Sequence, residues 1–577
     1  PHRGRSSGVE VELRVHLMQR EPTAFQDTTF DVLVVGGGIT GACLAHDATL
    51  RGLSVALVER QDFGSATSAA SSKLIHGGIR YLQQARLDKV RESARERACF
   101  QRIAPHLTRW VPFVIPTESG FLRGRRFLGF GMWVYEMLTR GYDGNISDPV
   151  KQVPPSSFIP KDRLSSLVPG LAAQTDITGG QILYESHMHS SERMTLAFLK
   201  SAVRGGAIVA NYLAVQTLLK RHGRVEGVTV SDTLTGDQFD IRSRIVINAA
   251  GPWVSELNAQ LGIGELRRSI SGFSKGVHIV TRQIIDKYAL ALTTDHSSGS
   301  LVDRGGRHLF VIPWRGHSLV GTSNRPFRAE LDSVGPTEVD IAELLSDLNS
   351  ALPGARVTRS DVSYAFAGLY PLTVNDIRPD LYQGSGDYQI IEHGRVDGVD
   401  GVISVLGAKY TTARRLAERA ISLVCQRLSQ RTESSRSNEV ALVGGEISDL
   451  EGFTDESVHR YEKVLDRSSV EHLVCQYGTE VNDVVSLGTD SDQGLLTSLS
   501  PQRSTLGAEV RFAVEQEMAV KLSDVLFRRT GLGTLGDPGD ECLRRCTEIM
   551  GRCLGWSEAR MNAEVQHAKT LFIIRES

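Results

Sequence analysis

With 577 residues, 41% hydrophobic and 23% charged, the chain exceeds one simple core and has an ordinary composition, which implies two or three packed globular units. Its formal net charge of −2, with acidic and basic residues interspersed, excludes the basic stripe of a nucleic-acid binder. No apolar run reaches the roughly 18 residues of a membrane-spanning helix.

Residues 1–29 carry Arg3, Arg5, Arg14 and Arg20 without an apolar stretch, so they read as a disordered extension and not as a secretory signal. Glu10, Glu12 and Glu21 count against a transit peptide. Structure begins at Phe30. The run Asp31-Val-Leu-Val-Val35 is a short buried strand, a triple glycine follows, and a helix runs to Arg51 with Gly52 as its stop. A second strand over 54–58 completes a βαβ unit.

From about Ala85 to Ile103 the pattern is helical and heavily charged, and 111–204 mix short strands with proline-rich loops. Strands return at 207–209, at 225–230 across a turn at Glu226-Gly227, and at 245–250. Residues 256–390 alternate strands and loops; 402–406 is a buried strand leading through Gly407 to a helix ending near Arg427. The polar stretch 429–438 reads as a linker, and everything beyond it as helical. There Val510, Val514, Met518, Leu522 and Val525 mark one buried face. The seven cysteines are an odd, sparse set without C-x-x-C, which points to a reducing, cytoplasm-facing protein. Cys542 and Cys546 lie one helical turn apart, but no second pair completes a metal site, so they read as core thiols.

Chemistry concentrates in three places. In Gly36-Gly37-Gly38-Ile39-Thr40-Gly41, Gly36 makes the turn, Gly38 admits a pyrophosphate and Gly41 lets helix and strand pack closely. The second strand ends in Val58-Glu59-Arg60, which puts the Glu59 carboxylate where a ribose hydroxyl binds. The late strand Ile245-Val-Ile-Asn-Ala-Ala-Gly251 ends in Ala250 and Gly251 beside a bound dinucleotide, and favours FAD over NAD. In the segment from Ala66 to Leu82, Thr67, Ser68, Ser71, Ser72 and Lys73 suit contacts to a pyrophosphate and a flavin edge. His76, beside the paired glycines Gly77 and Gly78, approaches a flat ring; Arg80, with Tyr81 beside it, suits an anionic substrate group.

This segment resembles the FAD-dependent glycerol-3-phosphate dehydrogenases and glycerophosphate oxidases, whose A-T-S-x-x-S-S-K-L-I-H-G-G-x-R-Y-L it repeats almost unbroken. The resemblance continues in Asn248-Ala-Ala-Gly-Pro-Trp253, Ser274-Lys-Gly-Val-His-Ile-Val280, Phe310-Val-Ile-Pro-Trp314 and Ser404-Val-Leu-Gly-Ala-Lys-Tyr-Thr-Thr412, and covers residues 30–555. It implies an α/β fold. An FAD-binding, Rossmann-like two-dinucleotide-binding domain takes residues 30–110, 205–255 and 390–428. An α+β substrate domain with a mixed or antiparallel sheet takes 111–204 and 256–389, and a C-terminal all-α domain takes 440–577. It implies oxidation of sn-glycerol 3-phosphate to dihydroxyacetone phosphate, with His76 or His278 as the base. Lys409 and the helix opening at Gly407, Thr411 and Thr412 would stabilise charge on the reduced flavin, while Thr411 or Thr412 also suits an ordinary helix cap.

The substrate side departs from the family. Where it reads S-G-x-R-P-L with a phosphate-binding arginine, this chain reads Ala367-Gly-Leu-Tyr-Pro-Leu372, so Tyr370 replaces the guanidinium. The family's D-D-A-R is Ser190-Ser-Glu-Arg193, and its G-T-T-D ends in Asn324. Arg80, helped by Lys275, must then carry a phosphate, with Arg378 as a substitute. Another polyol phosphate or a hydroxy acid is therefore a second candidate substrate. A flavin-binding protein without turnover is a third reading, against which His76, Arg80, Lys275, His278 and Lys409 argue. Quinone and oxygen both remain as electron acceptors, and the oligomeric state stays open, a homodimer included. Over 121–140, Phe121, Phe127, Phe130, Trp133 and Tyr135 interleave with Arg123, Arg125 and Arg126, which predicts peripheral attachment to the inner face of the cytoplasmic membrane. A helix packed on the substrate domain accounts for the same pattern.

Overall fold

The computed structural model describes residues 18–83, 85–120, 124–172, 176–264, 272–293, 308–372, 387–407, 409–429, 432–489, 493–501 and 503–576. The strand Thr29–Val35 is buried from Val32 to Val35. With no polar face to give to water, it sits inside a parallel sheet, between Val55–Val58 and Gln238–Asn248. Val402–Leu406 and Ile208–Ala210 extend the parallel part on either side. The helix Ile39–Leu50 packs on this sheet against Ser191–Arg204 and Ala413–Leu428, and their alanines and leucines share one core. Ser191–Arg204, expected in the substrate unit, therefore lies in the nucleotide layer.

The second sheet is mostly antiparallel. Its long strands are Thr108–Glu118, Ile177–Met188, Gly272–Arg282 and Val362–Leu372. Leu74–Ile75, fifteen residues past the first sheet's Glu59, joins its edge by pairing with Ile177–Met188, so one short segment bridges both sheets.

Five local expectations change. Residues from Met18 onward are packed: Phe25 is 1% exposed and Arg20 pairs with Asp232 at 2.8 Å. The hairpin turns at His222-Gly223, because Gly227 lies inside the strand Arg224–Asp232, where a Cβ would stand 2.1 Å from the Ile241 carbonyl oxygen. The apolar face from Val510 is not one helix: Gly507–Gln516 ends, Met518 takes φ +61°, and the chain resumes at Leu522–Asp524 in a π-helical turn, Val525–Arg529. The C-terminal segment also holds one hairpin, Ser498–Ser500 with Arg503–Leu506. The polar linker is anchored, since Ser437 Oγ donates to Asp47 at 2.8 Å and accepts from Arg414 at 3.0 Å. Cys542 and Cys546 are both buried on Asp540–Leu554.

Candidate active site

Both sheets border a cleft of about 1360 Å³, reached by the carboxyl ends of the parallel strands. That exceeds the roughly 300–1,000 Å³ of a site for one drug-sized ligand and suits an extended dinucleotide beside a small substrate.

The nucleotide end is built by steric necessity. Gly36 has φ +109°, and a Cβ there would stand 2.7 Å from the Ala249 carbonyl oxygen; a Cβ on Gly41 would meet the Gly36 oxygen at 1.9 Å. Gly38, at the mouth of the helix, faces the Ser68 hydroxyl, which accepts from the Ile39 N–H at 2.9 Å and so satisfies one orphan donor of the first turn. Glu59 braces the turn: its carboxylate accepts from Gly37 N–H at 2.7 Å and Gln61 N–H at 2.8 Å. Burial raises its pKa against those two hydrogen bonds. Ala250 and Gly251 line the opposite wall, and Arg60 lies 4.8 Å over the Trp253 ring while pairing with Asp332.

The other end gathers Thr67, Ser71, Ser72, His76, Arg80, Tyr81, His278, Tyr370, Gly407, Lys409 and Thr411 around one space. Ser72 Oγ and His278 Nε2 lie 2.9 Å apart, and the imidazole stacks on Phe366 at 5.2 Å. Burial and then Lys73 lower the His278 pKa to about 3. His76 is lowered equally, to about 3, by burial and then by Lys409, Arg97 and Arg80. Its backbone N–H donates to Thr411 Oγ1 at 3.3 Å, so Thr411 holds this loop instead of capping a helix; Thr412 occupies the cap position without a side-chain bond. Lys409 Nζ lies 4.2 Å over the Tyr81 ring, is buried with no hydrogen-bond partner among the described residues, and burial lowers its pKa to about 8. Tyr370 Oη donates to Asn324 Oδ1 at 2.5 Å, and Ser274 Oγ donates to the same oxygen at 2.6 Å.

Two expected cationic ligands face elsewhere, and Thr412 does not line the cleft either. Lys73, at φ +56°, sends its ammonium inward to Glu192 at 2.8 Å and Ser191 at 3.1 Å, and does not line the cleft. Lys275 pairs with Asp340 at 2.6 Å, because strand alternation puts Gly276 and His278 on the cleft side. Arg378 lies outside the described residues. A buried brace went unseen: Glu185 accepts from Gly77 N–H at 2.6 Å and from Arg97 at 3.0 Å, pinning the loop that carries His76. In the heavily charged helix Leu87–Ile103, Glu96 and Arg97 are each 3% exposed and paired.

These residues fit FAD. The glycine cradle leaves no room for side chains, the Glu59 carboxylate sits at the nucleotide end, and the buried Lys409 ammonium, without a hydrogen-bond partner among the described residues, faces the other end, where an anionic ring edge would neutralise it.

Comparison with known proteins agrees. A family model described as FAD dependent oxidoreductase matches residues 31–414, and one described as the C-terminal domain of alpha-glycerophosphate oxidase matches 435–561. A glycerol-3-phosphate dehydrogenase of Synechocystis sp. is 32% identical over 94% of this chain and 96% of its own length. A probable mitochondrial glycerol-3-phosphate dehydrogenase of Caenorhabditis elegans is 33% identical, over 94% of this chain and 73% of its own. The crystal structure of glycerol-3-phosphate dehydrogenase from Bacillus halodurans complexed with FAD superposes with a TM-score of 0.73 at 27% identity, covering 96% of this chain and 97% of that one.

Proposed function

Because the chain belongs to the FAD-dependent oxidoreductases, and among them to the glycerol-3-phosphate dehydrogenase family, we propose that it oxidises sn-glycerol 3-phosphate to dihydroxyacetone phosphate and passes the electrons to a quinone or similar acceptor. The observation that carries this reading is the convergence, in one cleft, of a dinucleotide cradle, the Ser72–His278 pair and the buried Lys409 ammonium, which has no hydrogen-bond partner among the described residues. Bound FAD supplies the two-electron acceptor for the hydride that leaves the substrate carbon.

The protein's own residues do the rest. Gly36, Gly38, Gly41, Ser68 and Glu59 hold the dinucleotide, and Lys409 with the turn from Gly407 to Thr412 places positive charge against the ring edge. Neutral at physiological pH, both His76 and His278 have a lone pair for the substrate's hydroxyl proton. We assign that role to the Ser72–His278 pair, with Nε2 the atom that ends protonated. Among the described residues, Lys409, Arg97 and Arg80 all oppose protonation of His76, whereas at His278 the opposing cation is Lys73, whose charge Glu192 balances. His76 then orients the substrate, and Arg80 and Tyr81 bind its anionic group. The stripe Phe130, Trp133 and Met137, exposed by 63%, 56% and 60% on the helix Arg125–Thr139, supports contact with a lipid surface beside the cleft, which Phe127 lines. Tyr135 is buried and takes no part, and Phe121 and Arg123 lie outside the described residues.

Tyr370 favours a second reading, in which the same oxidation acts on another polyol phosphate or a hydroxy acid. Turnover of FAD-loaded protein with a redox dye, across phosphorylated polyols, plain polyols and hydroxy acids, separates the two. Glycerol 3-phosphate should give the highest kcat/KM. Preference for another member of the panel supports the second reading, and a loaded protein inert to all of them would be a binding protein.

A further inference from the structure

Among the described residues, nothing beyond Thr411 lines the cleft, so the helical C-terminal segment touches neither the cofactor's space nor the substrate's. It nevertheless reaches the nucleotide loop from behind, through one buried carboxylate. Asp62 is 1% exposed and follows Glu59 by three residues. It accepts from Arg529 Nη1 and Nη2 at 2.8 and 2.9 Å, from Arg528 Nε at 2.5 Å and from Asn211 Nδ2 at 2.9 Å. Both arginines close the π-helical turn Val525–Arg529. Arg529 is 0% exposed and also donates to the Glu517 carbonyl at 3.0 Å, while Arg528 Nη2 bonds Asp524 at 2.7 Å.

Asp62 stands between two grips on the glycine turn. On one side Glu59 accepts the Gly37 N–H; on the other, Gly64 N–H donates to the Gly37 carbonyl at 3.0 Å. Phe63 fills the space a Gly37 side chain would need, 2.6 Å from its ideal Cβ. An ionised carboxylate in this setting stays buried only while its guanidinium partners are in place. Without them the loop that braces the turn has no fixed position.

We propose that Asp62, Arg528 and Arg529 form a clamp by which the C-terminal segment positions the 59–64 loop for the dinucleotide, so that cofactor retention depends on a part of the chain that never touches it. These are positioning residues, and the proposal does not depend on which alcohol is oxidised. Linkage makes the effect reciprocal: whatever the clamp adds to FAD binding, FAD adds to the packing of the 517–530 region.

The test uses the full-length protein, FAD-depleted and reloaded. In the wild type, FAD should slow hydrogen exchange across 517–530. Asp62→Asn and Arg528→Gln should each raise the FAD dissociation constant, followed by flavin fluorescence, by tenfold or more, and should shrink the Tm gap between loaded and depleted protein. Should Asp62→Asn fail to fold, the more solvent-accessible Arg528→Gln and the wild-type exchange measurement still decide the matter. A merely structural role predicts that loaded and depleted Tm fall together, with the dissociation constant unchanged and exchange across 517–530 indifferent to FAD; that result overturns the clamp.

Discussion

Replacing Tyr370 by arginine supplies the charge that the family resemblance implies at this position and measures what it is worth to a phosphate. The tyrosine offers one neutral O–H, already given to Asn324 Oδ1 at 2.5 Å, whereas arginine brings five N–H donors and a permanent charge. Truncating one partner of a buried charged pair costs about 2–5 kcal/mol. Tyr370 is half-buried in an open cleft, so the lower figure applies. About 2 kcal/mol, at about 1.4 kcal/mol per decade, is roughly thirtyfold. The new side chain needs no new partner, since Asn324 Oδ1 already accepts two hydrogen bonds and meets a guanidinium as readily as a phenol. Tyr370→Arg is therefore expected to lower KM for glycerol 3-phosphate roughly thirtyfold, with FAD content unchanged and no gain on plain glycerol. Steady-state kinetics with a redox dye measures this. An unchanged KM for glycerol 3-phosphate in a fully FAD-loaded variant would refute the reasoning and move the phosphate to another cation, Arg378 being the next to mutate.

Three further outcomes are expected. Purified protein should be yellow and release FAD on heating, and Gly38→Val, which puts a branched side chain against Ser68 at the mouth of the helix, should purify colourless; a yellow variant would show that the pyrophosphate binds elsewhere. The protein should float with anionic liposomes at low salt, and replacing Phe130 and Trp133 by serine should abolish this; wild-type protein left at the bottom of the gradient removes the membrane reading. Finally, burial lowers His46 to about 4 and His76, His106 and His278 to about 3. Each folded pKa lies below the unfolded value near 6.5, so the stability these groups contribute is complete above about pH 6.5 and is lost as pH falls toward the folded values. Each costs about 1.4 kcal/mol per pH unit across that window; Tm should fall steeply from pH 6.5 to 4, and a flat profile would contradict the burial of these rings.

The nucleotide cradle was legible in the amino-acid order because its geometry is local. A glycine required by a Cβ clash with the neighbouring turn, a carboxylate one strand away and a helix opening at Ile39 all follow from spacing. The same holds for the parallel sheet that the apolar strands demand, but not for the loop carrying His76, which distant Glu185 and Thr411 hold in place. What only the tertiary structure decided are pairings between distant residues. Lys73 and Lys275 read as ligands until Glu192 and Asp340, supplied by other elements, drew their charges inward. The helical periodicity from Val510 ignored the break at Met518, which leads into the π-helical turn that delivers Arg528 and Arg529 to Asp62. Periodicity records which face of a segment is apolar. It does not record which buried charge, hundreds of residues away, completes another, because that energy depends on desolvation and distance in the folded chain.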